Sequence, residues 1–166
     1  MTKAREMDLE TLRGEPLPDA LRDAVMSFME EQIPFNQYLG MKVVTLQRGR
    51  AVLELPARPE FTGDPFRPAL HGGVISTLAD TVGGLACFSL ADVEDRASTI
   101  DLRVDYLRPG KVNTPLQAEA EIIRMGNRVA VANVVVFQEG DRAHPVAVAK
   151  GVYSMRRGRR TELPEP

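Results

Sequence analysis

From Gly72 to Leu90 the chain carries one charged residue, Asp80, among glycines, small hydroxyl and thiol residues and apolar side chains. At 100° per residue, Val74, Ile75, Leu78, Ala79, Val82, Leu85 and Ala86 gather on one helical face. Opposite lie Gly73, Ser76, Thr77, Asp80, Gly84 and Cys87. A water-facing surface would carry Lys, Glu or Arg there. The segment therefore predicts a helix that buries one face in a sheet and turns the other toward a ligand or a second subunit. Its start, Leu70-His71-Gly72-Gly73, reads as a loop turning through a Gly pair into the first helical turn. Unpaired N–H groups there attract developing negative charge. A carboxylate further along is a candidate nucleophile or general base.

The remainder supplies the sheet. Leu21, Val25, Phe28 and Met29 recur at helical spacing over 19–32 until Pro34 ends the run. Residues 41–47 and 51–55, joined at Arg48-Gly49-Arg50, read as a hairpin, and 58–69 as a loop. After the central helix, 97–107, 112–124, 128–138 and 145–156 read as strands separated by turn signals. Ile100, Leu102, Val104 and Tyr106 alternate with charged residues, as in a half-buried strand. Positions 130–137 are apolar almost throughout, as in a strand covered on both faces. Two strands, one long helix and four more strands give an α+β fold: a curved antiparallel sheet around a central helix, with an extra N-terminal helix. Residues 1–17, broken by Gly14 and Pro16, are expected to form a loose arm. One domain spans 18–156, and 157–166 form a basic tail read as a solvated end.

Length and composition narrow the function. A chain of 166 residues with 43% hydrophobic content suits one ordinary core, and a net charge of −2 leaves no nucleic-acid footprint. Cys87, the single cysteine, excludes an internal disulfide and is expected to be a packing residue in a reducing compartment. No secretion signal is read at the start, and no apolar run approaches the roughly 20 residues of a membrane span. A cytoplasmic protein is expected. His71 and His144 lie far apart without a Cys cluster, so no metal site is expected.

Spacing constrains any chemistry further. Gly72 and Asp80, eight residues apart in one helix, are separated by about 12 Å along its axis. One carbonyl cannot accept from the Gly72 N–H while being attacked through Asp80 of the same chain. Antiparallel helices about a twofold axis bring Gly72 of one chain near Asp80 of the other. If the two groups cooperate, two subunits share the site.

Leu70-His71-Gly72-Gly73, followed by Leu78, Asp80 and Gly83-Gly84, and the strand Thr99-Ile100-Asp101-Leu102-Arg103-Val104-Asp105-Tyr106-Leu107-Arg108-Pro109 together resemble the hotdog-fold acyl-CoA thioesterases. The likeness is to the phenylacetate-degradation (PaaI-like) branch of the 4-hydroxybenzoyl-CoA thioesterase superfamily and covers roughly 35–156. It implies a sheet wrapped around the helix, homodimers pairing into a dimer of dimers, and hydrolysis of acyl-CoA without a cofactor. Asp80 takes the catalytic position, as nucleophile or as base for water, and the Gly72 N–H meets the thioester carbonyl. His71 holds the loop through a backbone bond or approaches the thioester. Thr99 orients water or the acid. Gly73, Thr77 and Gly84, on the Asp80 face, are the small groups expected to meet substrate.

The likeness departs at one place. Many relatives carry Asn or Gln about six residues before the histidine, where this chain has Asp64-Pro65. Asp64 either substitutes or forms an Asp-Pro turn. Arg124 and Arg128, flanking the Gly126-Asn127 turn, are the expected contacts to CoA phosphates, with Arg103, Arg108 and Lys111 as further candidates. The N-terminal helix either covers the acyl end of the pocket or packs on the sheet. A non-catalytic acyl-CoA sensor is the alternative function, and a hotdog dehydratase fits the residues poorly. Phe61, Phe66 and Phe88 leave aryl, medium-chain and long-chain acyl groups all open.

Overall fold

A computed structural model describes residues 9–92 and 95–156. Strands β1 (Lys42–Gln47) and β2 (Arg50–Leu55) form the hairpin, β3 (Thr62–Asp64) and β4 (Ala69–Leu70) a short ribbon, and β5 (Arg96–Tyr106), β6 (Leu116–Met125), β7 (Val129–Gln138) and β8 (Ala147–Arg156) the long strands. The six-stranded antiparallel sheet runs β1-β2-β6-β7-β8-β5. Helices are α1 (Leu9–Leu12), α2 (Asp19–Ser27), α3 (Pro34–Leu39) and the central α4 (Gly72–Phe88). The expected curved sheet around a long helix is what forms. None of the helices among the described residues is long and apolar enough to cross a membrane.

The sheet can wrap α4 because its inward positions are small. Ala118 and Ala120 on β6, Ala130 and Ala132 on β7, and Ala147 and Ala149 on β8 all face the core. Side chains alternate along a strand, so these alanines make one shallow floor. Leu78, Ala79, Val82, Leu85 and Ala86 of α4 pack into it at 0% exposure. Burying each Leu or Val stabilises by roughly 1.5–3 kcal/mol. Irregularities at Val43/Thr45, Thr99/Asp101 and Ile122/Arg124 bend the strands, as an extra residue in one strand does.

Tyr153 fixes how deeply the helix sits. Its ring lies over Gly151 on its own strand and reaches α4 at Gly83, where a Cβ would overlap the phenol hydroxyl. That hydroxyl donates to the Asp80 carbonyl oxygen at 3.1 Å. Gly84, one residue on, is open: the nearest atom to a Cβ there is 4.0 Å away.

Several expectations need correction. Within the stretch read as a loose arm, residues 9–17 are docked. Gly14 N–H donates to the Arg48 carbonyl, Arg48 N–H donates to that of Glu15, Pro16 bridges Gln47 and Leu17 is buried. Residues 1–8 and 157–166 lie outside the described residues. The 19–32 helix widens into a π-helical turn, Phe28–Gln32, and Pro34 then starts α3, its fixed φ suiting a first helical position. Strand β6 begins at Leu116, because the loop before it is tied to buried Gln138: its amide donates to the Lys111 and Thr114 carbonyls and accepts from Lys111 N–H. On β7, Asn133 is exposed and Val131 and Val135 are half-buried, so among the described residues the second face is only partly covered. Ile100 and Tyr106 are exposed because β5 is the sheet edge and is irregular at Ile100.

The Tyr153 wedge separates two neighbouring glycines. Gly83→Ala is expected to lower the unfolding free energy by about 2–3 kcal/mol through overpacking. Gly84→Ala should be neutral or stabilising by up to about 1 kcal/mol, from helix propensity. Urea unfolding of both variants checks this; equal stabilities would remove the wedge.

Candidate active site

The start of α4 is held from three sides. Leu70 N–H donates to the Gly110 carbonyl at 2.9 Å and His71 N–H to that of Phe61 at 2.8 Å. Gly63 lies so close to the His71 backbone that a Cβ would stand 2.6 Å from its Cα. His71 is the N-cap: its Nδ1 accepts from the Gly73 N–H at 2.9 Å, and its carbonyl accepts from Val74 N–H at 3.0 Å. The N-cap geometry thus uses the Gly73 donor. The Gly72 N–H meets no acceptor among the described residues. Tyr106 Oη donates to the Gly72 carbonyl at 3.0 Å, and its ring stands 3.3 Å from where a Gly72 Cβ would be.

Two helical turns on, Asp80 is half-buried on the open face of α4. Thr99 on β5 donates its hydroxyl to Asp80 Oδ1 at 2.8 Å. One carboxylate oxygen is therefore gripped, leaving Oδ2 for a reacting partner. The Tyr153 hydroxyl holds the same residue by its carbonyl, and burial pushes this phenol well above the usual tyrosine range, helped by the charge of Asp80. It stays a donor. Thr77 and Ser76 turn their hydroxyls back to the Gly73 carbonyl, at 2.7 and 3.2 Å, and Thr81 to that of Thr77. Such back-bonding keeps hydroxyls within a helix. Cys87 is fully enclosed, its thiol pushed up to about 12 by burial, and is a packing residue.

The structure therefore brings Asp80 to Thr99, and His71 to Gly72 and Gly73. It does not bring these two groups together within one chain: both lie on α4, about 12 Å apart along its axis. Asp64 serves a turn. Its Oδ1 accepts from Phe66 and Arg67 N–H at 2.9 and 3.2 Å, and Arg67 Nε reaches Oδ2 at 3.3 Å. The Arg67 and Phe66 backbone bonds hold this carboxyl below the usual range, so it cannot donate to a carbonyl. Arg124 and Arg128 are exposed with no ion-pair partner among the described residues. They sit at the Leu90 end of the sheet, since Ile122 N–H donates to the Gly49 carbonyl and Gly49 packs beside Leu90. That is the end opposite Gly72. Arg103 pairs with Asp105, Lys111 with Glu139, and Arg108 holds the His144 and Pro145 carbonyls.

Sequence reading missed Tyr106, Tyr153 and Gly63. A signal existed for Tyr153: a large polar aromatic two residues after Gly151, on a strand whose inward positions before it, Ala147, Ala149 and Gly151, are all small. For Gly63 no local signal distinguishes a close approach from an ordinary loop glycine.

Known proteins resemble this chain in sequence and in fold. The sequence model of the thioesterase superfamily matches residues 68–143. The medium/long-chain acyl-CoA thioesterase YigI of Salmonella typhimurium is 37% identical over 120 residues, covering 64% of this chain and 77% of the relative. The acyl-coenzyme A thioesterase PaaI of Escherichia coli is 27% identical over 115 residues, 68% of this chain and 76% of the relative. The solved structure of E. coli PaaI superposes with a TM-score of 0.74 at 23% identity, covering 84% of this chain and 96% of that one. At that identity it speaks for the hotdog fold alone. A thioesterase family protein from Silicibacter pomeroyi gives 0.71 at 27% identity, covering 83% and 96%.

The His71 cap generates a separable effect. His71→Ala should cost about 1 kcal/mol of stability, and His71→Asn should recover most of it, since Asn caps well. Thermal unfolding of the two variants measures this; equal losses would mean that the imidazole bond does not hold the helix start.

Proposed function

This chain belongs to the thioesterase superfamily, and we propose that it hydrolyses an acyl-CoA thioester to the free carboxylic acid and CoA at a site completed by two subunits. The observation that carries the reading is the 2.8 Å bond from Thr99 to Asp80, the lone charge of α4. A carboxylate held by one oxygen keeps the other aimed at a reacting partner. Asp80 then works in one of two ways. As base, it takes a proton from water while the water oxygen bonds to the thioester carbon. As nucleophile, it bonds to that carbon itself, and water opens the resulting anhydride. In both, the carbonyl oxygen gains negative charge that the Gly72 N–H of the partner subunit stabilises. Collapse breaks the C–S bond and CoA leaves as thiolate, which a proton neutralises. Water and protein groups balance the reaction, so it calls for no cofactor.

The dimer reading is supported by β5. It ends the sheet, and Ile100 and Tyr106 on it and Leu107 just after it are 59%, 55% and 55% exposed. An uncovered apolar edge invites pairing with another strand. Antiparallel pairing of two copies would set the α4 helices side by side and bring each Gly72 toward the other chain's Asp80. Family likeness extends the reading to a dimer of dimers acting in the cytoplasm.

Asp80→Asn should lower thiol release from acyl-CoA by about two orders of magnitude or more, with binding retained. Binding without thiol release by the wild type would instead make this an acyl-CoA sensor. Thr99→Val should lower kcat by about tenfold, the low side of a lost hydrogen bond to a charged group, with little change in KM. Heterodimers of Asp80→Asn with Gly72→Pro should regain one intact site, because Pro removes only the N–H donor of its own chain. Verified heterodimers with no regained activity would overturn the shared site.

A further inference from the structure

We infer that an apolar cavity between α2 and the C-terminal end of α4 takes the terminal part of a medium or long acyl chain whose thioester lies at Asp80. This rests on the hydrolase reading above and adds the place where the acyl terminus is held. The cavity has a volume of about 300 Å³ and is walled by Leu21, Ala24, Val25 and Phe28 on the N-terminal segment and by Phe88 and Ala91 opposite. Phe28 and Phe88 meet edge to face, with ring centroids 6.2 Å apart. Its polar residues, Asp92, Asp95 and Arg96, come from the loop after α4 and the first residue of β5.

Three observations connect this cavity to the catalytic pair. Asp80, Gly84 and Phe88 follow one another at four-residue spacing, so they form one stripe along α4. All three are half-buried, and Gly84 contributes no side chain to block the stripe. Distances agree by two routes. From Asp80 to Phe88 is eight helical residues, about 12 Å. From Thr99 to Arg96 is three strand residues, about 10 Å. A tetrahedral carbon chain with bonds of about 1.5 Å advances roughly 1.25 Å per carbon, so an acyl group reaches the cavity at about eight to ten carbons. Longer chains bury their ends in it, each CH₂ contributing about 0.8 kcal/mol when fully enclosed.

The remaining half of the substrate fits the same direction. With the two α4 helices antiparallel, the path from Asp80 away from Phe88 leads toward the Leu90 end of the other chain. Arg124 and Arg128 of the partner subunit stand at that end, exposed and free of ion pairs among the described residues. The CoA phosphates thus run one way and the acyl tail the other.

The test is the chain-length profile of the full protein on hexanoyl-CoA and dodecanoyl-CoA. Wild type should favour dodecanoyl-CoA in kcat/KM. Ala24→Trp and Ala91→Phe, which fill the cavity from opposite walls, should each cut that preference at least tenfold while hexanoyl-CoA hydrolysis stays within twofold. Folding is checked by thermal unfolding, and size-exclusion chromatography follows the assembly. Folded variants that keep the wild-type preference, or lose both substrates equally, overturn the cavity as the acyl site. An equal loss accompanied by a changed oligomeric state assigns the cavity to a second copy of the chain. A wild type that hydrolyses no acyl-CoA overturns the hydrolase reading itself and the acyl site with it.

Discussion

The Tyr153 phenol lies over Gly151 on β8 and crosses to α4, where it fits because Gly83 has no side chain and where its hydroxyl meets the Asp80 carbonyl. A buried phenol needs an acceptor, and a helical carbonyl has a second lone pair to offer. Its own burial keeps the proton on the oxygen, so this remains a donor. The contact sets the height of the helix above the sheet through the ring, and its rotation through the hydroxyl. With rotation fixed, the Asp80 side chain emerges beside β5 within reach of Thr99. The alanine floor allows the helix to approach; Tyr153 decides where it stops.

Most of this was legible from residue pattern. The wrapped helix followed from one face of Val, Ile, Leu and Ala and a second face without Lys, Glu or Arg, and Asp80 stood out as its single charge. The separation of Gly72 from Asp80 followed from helical rise alone. Interactions that depend on distant strands could not be read this way. Tyr106 covers Gly72, and Gly63 touches the His71 backbone, only because β3, β5 and α4 converge at one end of the sheet. The docking of residues 9–17 was hidden for a related reason. Gly14 and Pro16 look like breaks in a coil, yet the backbone between them pairs with Arg48 and Gln47 at the sheet edge. Composition reports what a segment lacks; it does not report which free edge lies nearby.

Asp64 shows how local chemistry resolves an ambiguous position. Both roles open to it require its carboxyl oxygens, and the turn claims them through two backbone N–H groups and the Arg67 guanidinium. An ionised acceptor tied into a loop stabilises that loop but has no proton to offer a substrate carbonyl. The donors at this end of the site are therefore those of the helix start.

The His71 cap carries a consequence for the imidazole itself. Because Nδ1 accepts from the Gly73 N–H, the neutral ring carries its single hydrogen on Nε2. The helix start thereby selects the tautomer and leaves an N–H on the outer edge of an exposed ring, beside a backbone N–H without an acceptor among the described residues. The mouth of α4 thus presents donors of one polarity. A carbonyl, carboxylate or phosphate oxygen is welcome there; an incoming amine or guanidinium would meet hydrogens facing hydrogens.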